Sequence, residues 1–193
     1  MKSESRRSKI LSVLSHRQCD ATVVIENIHD PHNVSAIFRS ADAVGIPEVQ
    51  LVYTNTEFPK IGKKSSSSAN KWVGKRRFRS VKECYDRLHE EGYAIYATRL
   101  DEKAQSLYDI DLTKKIAIVM GNEHAGVSDD AAGLADGTIM IPMMGMIQSL
   151  NVSVATAVTL YEMLRQRRAK GMYDRPTYEK EAFDALHEEW LKK

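Results

Sequence analysis

A chain of 193 residues, 42% hydrophobic and 28% charged, is sized for one well-buried domain, and that composition excludes a wholly disordered chain. No apolar run is long enough to span a bilayer, so no membrane partner is expected. The net charge of +2 argues only weakly for a polyanionic partner; the two cysteines, Cys19 and Cys84, form no CxxC pair and nothing resembles a zinc site, which fits a reducing compartment and predicts no metal.

The opening residues, MKSESRRSKILSVLSHRQ, are basic but lack the uninterrupted apolar core and cleavage site of a secretory signal, so a cytoplasmic chain is expected. Within them Ile10, Leu11, Val13 and Leu14 recur among polar residues as a short amphipathic helix over 3–15. ATVVIENI (21–28) is a β-branched strand, and the segment 31–45 is a helix opened by Pro31 and closed by Gly45. A second strand follows at 48–54, the Ser-rich run 63–70 marks a mobile loop, and 72–78 reads as a third short strand. Val81, Tyr85 and Leu88 share one face of a helix over 80–92 that stops at Gly92, and 93–100 returns as a strand. Residues 115–122 form a further buried strand, 128–136 a short helix with Ser128 as its candidate cap, and 138–143 the last strand. This order predicts an α/β fold, a largely parallel sheet with helices on both faces. The helix 151–168 is apolar nearly all round over its first turns, so it needs cover beyond the sheet, and a second copy of the chain in a homodimer is the economical cover. A turn and an amphipathic tail helix anchored by Phe183, Leu186 and Trp190 complete the chain, which is read as one domain over 1–193 with helical extensions at 1–18 and 171–193.

Charge is unevenly placed. Between Glu57 and Glu83 there is no acidic residue, while Lys60, Lys63, Lys64, Lys71, Lys75, Arg76, Arg77, Arg79 and Lys82 interleave with Trp72 and Phe78. That pattern fits a phosphate-binding patch as well as it fits a solvated loop followed by a basic edge strand. Further basic groups lie at Lys2, Arg6, Arg7, Lys9 and Arg17 and at Arg165, Arg167, Arg168 and Lys170. Three such groups point to a polyanion, with Arg6, Arg7, Lys71, Arg76, Arg77, Arg165 and Arg168 as the candidate RNA contacts. In the run IMIPMMGMIQSLNVSVATAVTLYEML (139–164), Gln148, Ser149, Asn151 and Ser153 form a polar patch where a strand gives way to a helix. Strand-to-helix junctions hold ligands in α/β proteins, although Ser149 and Asn151 equally fit helix caps. Gly121 and Gly126, at the end of the strand in IVMGNEHAGVSD, are placed to let a ligand approach the backbone, and Arg39 lies on the outer face of the first core helix.

Three segments together, NIHDPHNVSAIFRSADAVG, IVMGNEHAGVS and IPMMGMIQSLNVSVATAV, resemble the SPOUT superfamily of RNA methyltransferases in order, spacing and character. RQCDATVVIENIHDPHNVSAI, NKWVG and RQRRAKGMYDRP extend the likeness over nearly the whole chain, toward the tRNA guanosine-2'-O-methyltransferase branch. The resemblance implies an α/β trefoil knot, with the chain around 118–151 threading a loop, and S-adenosylmethionine held near Thr98, Gly121, Ile141 and Leu150. It implies catalytic positions at Asn33, Arg39, Glu123, Ser149 and Asn151, with variation between members at 124–125 and in the Ser-rich loop. The substrate so implied is tRNA, and the target the D-loop guanosine numbered 18. The resemblance casts Arg39 as the group that activates the ribose hydroxyl, with Asn33 positioning the arginine or the ribose; a guanidinium holds its proton so firmly that Arg39 is either a strongly perturbed base or a donor that holds the phosphate or stabilises the developing alkoxide. Methylation of ribosomal RNA, or an RNA-binding module without catalysis, are the alternatives.

Overall fold

The computed structural model describes residues 4–54, 57–59 and 69–193. Its elements run α1 (Glu4–Ser15), β1 (Ala21–Glu26), α2 (Pro31–Ala43), β2 (Glu48–Val52), α3 (Ala69–Trp72), β3 (Gly74–Phe78), α4 (Val81–Glu90), β4 (Ala94–Thr98), β5 (Gln105–Ser106), β6 (Ile116–Met120), α5 (Asp129–Leu134), β7 (Gly137–Met140), α6 (Val152–Ala169) and α7 (Lys180–Lys192). The seven strands form one sheet in the order β3-β2-β1-β6-β4-β7-β5, and every pairing in it is parallel.

The continuous apolar runs of β1 and β6 are explained by cover on both sides. Ala21, Val23 and Ile25 of β1, with Ile116, Ile118 and Met120 of β6, face one core beneath α2 and α6. The intervening Val24, Ala117 and Val119 face a second core with Cys84, Tyr85 and Leu88 of α4 and Ala131 of α5. Each fully buried Val or Ile adds about 1.5–3 kcal/mol, so a register slip would lose several such terms at once. Helix starts follow from side-chain caps: Asp30, Ser80, Ser128 and Asn151 each accept a backbone N–H from the first turn of α2, α4, α5 and α6. A glycine is required at Gly45, where φ is +87° and a Cβ would overlap the carbonyl oxygen of His16. The tail helix α7, anchored as expected by Trp190, Phe183 and Leu186, packs on Ile10 and Leu14 of α1 and on Trp72 of α3.

Several sequence expectations are corrected. Trp72 ends a helix, and the third strand starts only at Gly74. The last strand stops at Met140 because Pro142 offers no N–H to a ladder. The two-residue β5 at the sheet edge carries too little pattern to be visible in sequence. Both cysteines are free thiols, Cys84 buried in the second core and Cys19 half-buried. The expected mobile loop lies, up to residue 68, outside the described residues, as do Lys60, Lys63 and Lys64.

Two arginines assigned to exposed basic groups are instead fully buried. Arg17 donates to Asp42 (2.7 Å) and to the carbonyls of Ile46 (2.9 Å) and Trp72 (3.1 Å), and lies over the Trp190 ring. Arg167 pairs with Asp20 and donates to Gln18 (3.1 Å) and to the carbonyls of Leu112 (3.0 Å) and Lys114 (2.8 Å). A guanidinium has five N–H donors in a fixed fork, so one side chain satisfies loop carbonyls from several segments.

Candidate active site

The site lies where β1, β6 and β7 deliver their carboxyl ends. After β1 the chain turns through Asn27, at φ +48°, a region that asparagine tolerates better than most residues. The turn brings the backbone N–H groups of His29 and Asp30 onto the Glu123 carboxylate, which follows β6, at 3.1 and 3.0 Å. Asn33, buried in the first turn of α2, donates its Nδ2 to the same carboxylate (3.1 Å). Its Oδ1 accepts from Asn151 Nδ2 at 3.1 Å. Asn151 Oδ1 in turn accepts from Ser153 N (2.9 Å) and Oγ (2.6 Å) and so caps α6. Three segments far apart in sequence are thereby closed into one hydrogen-bonded chain. Burial pushes the Glu123 carboxyl up, but the donated bonds from Asn33 and from the backbone outweigh it and hold the group below the usual carboxylate range.

Against this chain opens a cavity of about 660 Å³. Thr98, Gly121, Ile141 and Leu150, the four positions expected to cradle a cofactor, all line it, together with Glu123, Ser149 and Asn151. Thr98 spends its hydroxyl on the carbonyl of Val119 (2.8 Å). At Gly121 the glycine is demanded by the chain itself, and the expected reason is corrected: a Cβ there would overlap the backbone of Gly126 and Val127. Residues 122 and 126 exchange both backbone hydrogen bonds at 2.9 Å, folding the loop back on the strand end. Asn122, Leu107 and the Arg99–Asp129 ion pair (2.7 Å) also line the cavity and were not singled out from sequence. Asn122 was legible as the polar residue between Gly121 and Glu123, whereas Leu107 sits beside the unforeseen β5.

Arg39 is not drawn into this network. It is exposed on α2 and makes no hydrogen bond or ion pair among the described residues. Six residues beyond Asn33, it points about 120° away round the helix.

The candidate RNA contacts divide by their partners. Arg7, Arg77 and Arg168 are exposed, and Arg77 lies 5.1 Å over the Phe58 ring. Arg6 is half-buried, with its Nε out of solvent and unpartnered. Lys71 donates to the C-terminal carbonyl of Lys193 at 2.6 Å. Arg165 is neutralised by Glu162, with both contacts at 2.8 Å. Arg76, on the edge strand β3, is held by Gln50 at 2.8 Å and by Glu91 at 2.6 and 3.0 Å, and the Glu91 carboxylate raises its affinity for its proton. The basic edge strand is real, and one of its arginines is already paired.

A parallel sheet with a ligand-sized cavity at its strand ends, gripped by a carboxamide and carboxylate chain, defines an α/β enzyme of the open-sheet kind. The chain belongs to the SpoU rRNA methylase family, whose profile matches residues 20–161. It is 46% identical over 192 residues to a tRNA (guanosine(18)-2'-O)-methyltransferase of Thermus thermophilus, covering 100% of this chain and 98% of that one. The structure of the A. aeolicus TrmH/SpoU tRNA modifying enzyme superposes with a TM-score of 0.91 at 37% identity, covering 97% of this chain and 95% of that one. The SpoU methyltransferase AviRb from Streptomyces viridochromogenes, in complex with the cofactor AdoMet, matches at a TM-score of 0.69 and 29% identity, over 80% of this chain and 59% of its own.

Proposed function

We propose that this chain transfers a methyl group from S-adenosylmethionine to the ribose 2'-hydroxyl of guanosine 18 in the D-loop of tRNA, as a cytoplasmic homodimer. The observation that carries the reading is the closure of Glu123, Asn33 and Asn151 over a cavity lined by all four expected cofactor positions. Support for tRNA as substrate is the activity named for the Thermus thermophilus relative. The knotted threading implied for residues 118–151 belongs to the same reading. It is supported by a sheet order in which β6 inserts between β1 and β4.

The cavity fits the cofactor on its own terms. Its volume falls in the range of small-molecule sites, roughly 300–1,000 Å³, and it combines apolar walls at Leu107, Ile141 and Leu150 with a few convergent polar groups. Residues 121–123 and 139–141 with 148–151 would hold it, and when bound it supplies an electrophilic methyl group. Glu123 fixes the 28–30 turn and Asn33 in one arrangement, so the cavity edge is set before a substrate arrives. Arg39 contributes as a hydrogen-bond donor, holding a phosphate or stabilising negative charge as it develops on the ribose oxygen.

The homodimer reading rests on unpaired apolar surface. Met144 and Met146 are 94% and 100% exposed, and Val154 and Tyr161 on the outer face of α6 are 48% and 52% exposed. A second copy seated there would bury more than about 2,000 Å² in an obligate interface. α2 packs against α6, so a copy on that face would meet the helix that bears Arg39.

Mapping the product after incubation with an unmodified tRNA transcript tests the reaction. A 2'-O-methyl group at guanosine 18 is expected, and transfer to ribosomal RNA but not to tRNA would overturn the assignment. Sedimentation at micromolar concentration tests the assembly, and a fully active monomer would overturn it.

A further inference from the structure

His29 is not among the residues assigned to the reaction, yet its ring chemistry is fixed by its surroundings. The amide of Asn122 is oriented by backbone groups that have no choice of role. Its Oδ1 accepts from the N–H groups of His124 (2.9 Å) and Ala125 (3.1 Å), and its Nδ2 donates to the carbonyl of Asn27 (2.8 Å). That same Nδ2 lies 3.2 Å from His29 Nδ1. A donor faces that ring nitrogen, so Nδ1 is the acceptor and the neutral imidazole carries its hydrogen on Nε2. The main chain of His29 is also held, its N–H on Glu123 Oε2 at 3.1 Å. The residue is thus tied through ring and backbone to Asn122 and Glu123, both of which line the cavity, while the side chain itself is exposed.

We infer that His29 is a substrate-positioning residue, presenting a tautomer-locked Nε2–H at the cavity rim to a hydrogen-bond acceptor on the target nucleotide of the RNA. Nε2 has no partner among the described residues, so the donor is free to bind. An imidazole fixed at Nδ1 needs no reorientation to do so, which lowers the entropic cost of the contact. Target guanosine offers acceptors of one chemistry from two sources, a phosphate oxygen and the N7 and O6 edge of the base. This inference rests on the RNA methyltransferase reading above.

The test uses two substitutions that each keep one half of the ring. His29→Asn places an amide where Nδ1 was and removes the outward donor; His29→Gln places an amide nitrogen near the Nε2 position and keeps it. Filter binding of an unmodified tRNA transcript in the presence of S-adenosylhomocysteine gives Kd, and methyl transfer gives KM and kcat. We expect His29→Asn to raise Kd and KM for tRNA on the order of tenfold, the scale of one lost hydrogen bond. His29→Gln should stay within about threefold of wild type, the scale of a hydrogen bond retained in weakened form. S-adenosylhomocysteine affinity should be unchanged in both. A transcript with 7-deazaguanosine at position 18 separates the sources. Non-additive effects with His29→Asn assign the contact to N7, and additive effects leave it on the phosphate or O6. Equal tRNA affinity for His29→Asn and wild type would overturn the inference, as would loss of S-adenosylhomocysteine binding in His29→Asn, which would make the ring a prop for Asn122. A wild-type protein that binds tRNA without methylating it would defeat the reaction assignment instead, and the Kd comparison would still decide the role of His29.

Discussion

Changing Asn33 to aspartate exchanges one amide nitrogen for oxygen and leaves the side chain's shape unaltered, so it isolates the polar chain at the cavity. Asn33 Nδ2 donates to Glu123 Oε1 at 3.1 Å; Asn33→Asp would set a second carboxylate oxygen against the first at that distance. Two unit charges so placed repel by about 5 kcal/mol at an effective dielectric of 20. Glu123 is only half-buried, and screening by solvent reduces this to about 2–3 kcal/mol at pH 8. For a chain of this size that is a fall in Tm of about 5–10 °C. The sign of the pH dependence is the diagnostic. In wild type the depressed Glu123 pKa contributes stability that is present above the unfolded carboxylate range and lost as pH falls through the folded value. In Asn33→Asp the shared pair has a raised pKa, so the penalty is full at high pH and is relieved as pH falls and one proton bridges the two oxygens. Thermal unfolding from pH 8 to pH 5 should therefore show variant and wild type converging toward acid, with S-adenosylmethionine affinity recovering in parallel. A variant whose Tm runs parallel to wild type across that range would show that Asn33 and Glu123 are not coupled.

Arg39→Ala is expected to lower single-turnover methyl transfer on the order of 10²–10⁴-fold with cofactor affinity unchanged, because Arg39 lies off the cavity wall. Wild-type single-turnover rate in that variant would return Arg39 to the solvated surface. Arg167→Ala should destabilise the fold by about 3–5 kcal/mol, read by chemical denaturation, since it strands Asp20 and the carbonyls of Leu112 and Lys114; a loss under about 1 kcal/mol would refute the clamp. Arg77→Ala should weaken tRNA binding and reduce the salt slope by about 0.7–0.9, whereas Arg76→Ala should leave the slope alone and cost at most about 1 kcal/mol of stability, its charge being spent on Glu91. Equal salt slopes for the two variants would undo that distinction.

The core elements were legible because burial on both faces writes itself into β1 and β6 as unbroken apolar runs, and because caps at Ser128 and Asn151 mark helix starts. Elements without such a signal were lost or misplaced: β5 has two residues, and β3, though foreseen, begins two positions after a tryptophan that belongs to the helix before it. Among the arginines, charge alone gave the wrong environment for Arg17 and Arg167. What buries a guanidinium is a set of carbonyls converging from other segments, and no local pattern announces them. The cavity-lining positions Thr98, Ile141 and Leu150 came from family resemblance rather than from spacing, as did the placing of Asn33 and Glu123 in one site, whereas Gly121 was also legible as a glycine at a strand's carboxyl end. Asn122 stood in the quoted motif, but its role depends on partners at 27 and 29 that only the folded chain supplies.

Asn151 shows why a cap and a site residue need not be rival descriptions. Its Oδ1 satisfies the first turn of α6 through Ser153, a task that serine or aspartate would perform equally well. Its Nδ2 donates to Asn33 Oδ1, a task that aspartate cannot perform and that the shorter serine side chain would reach only with backbone movement. Asparagine is therefore selected by the demand from both sides. The same two bonds carry a mechanical consequence: the start of α6 is rigidly tied to the start of α2, and through Asn33 and Glu123 to the 28–30 turn. Anything that seats on α6, including a second subunit, acts on a helix already coupled to the cavity edge. The polar patch in an otherwise apolar run thus includes a helix end that is capped, paired and set beside the cavity by the same side chain.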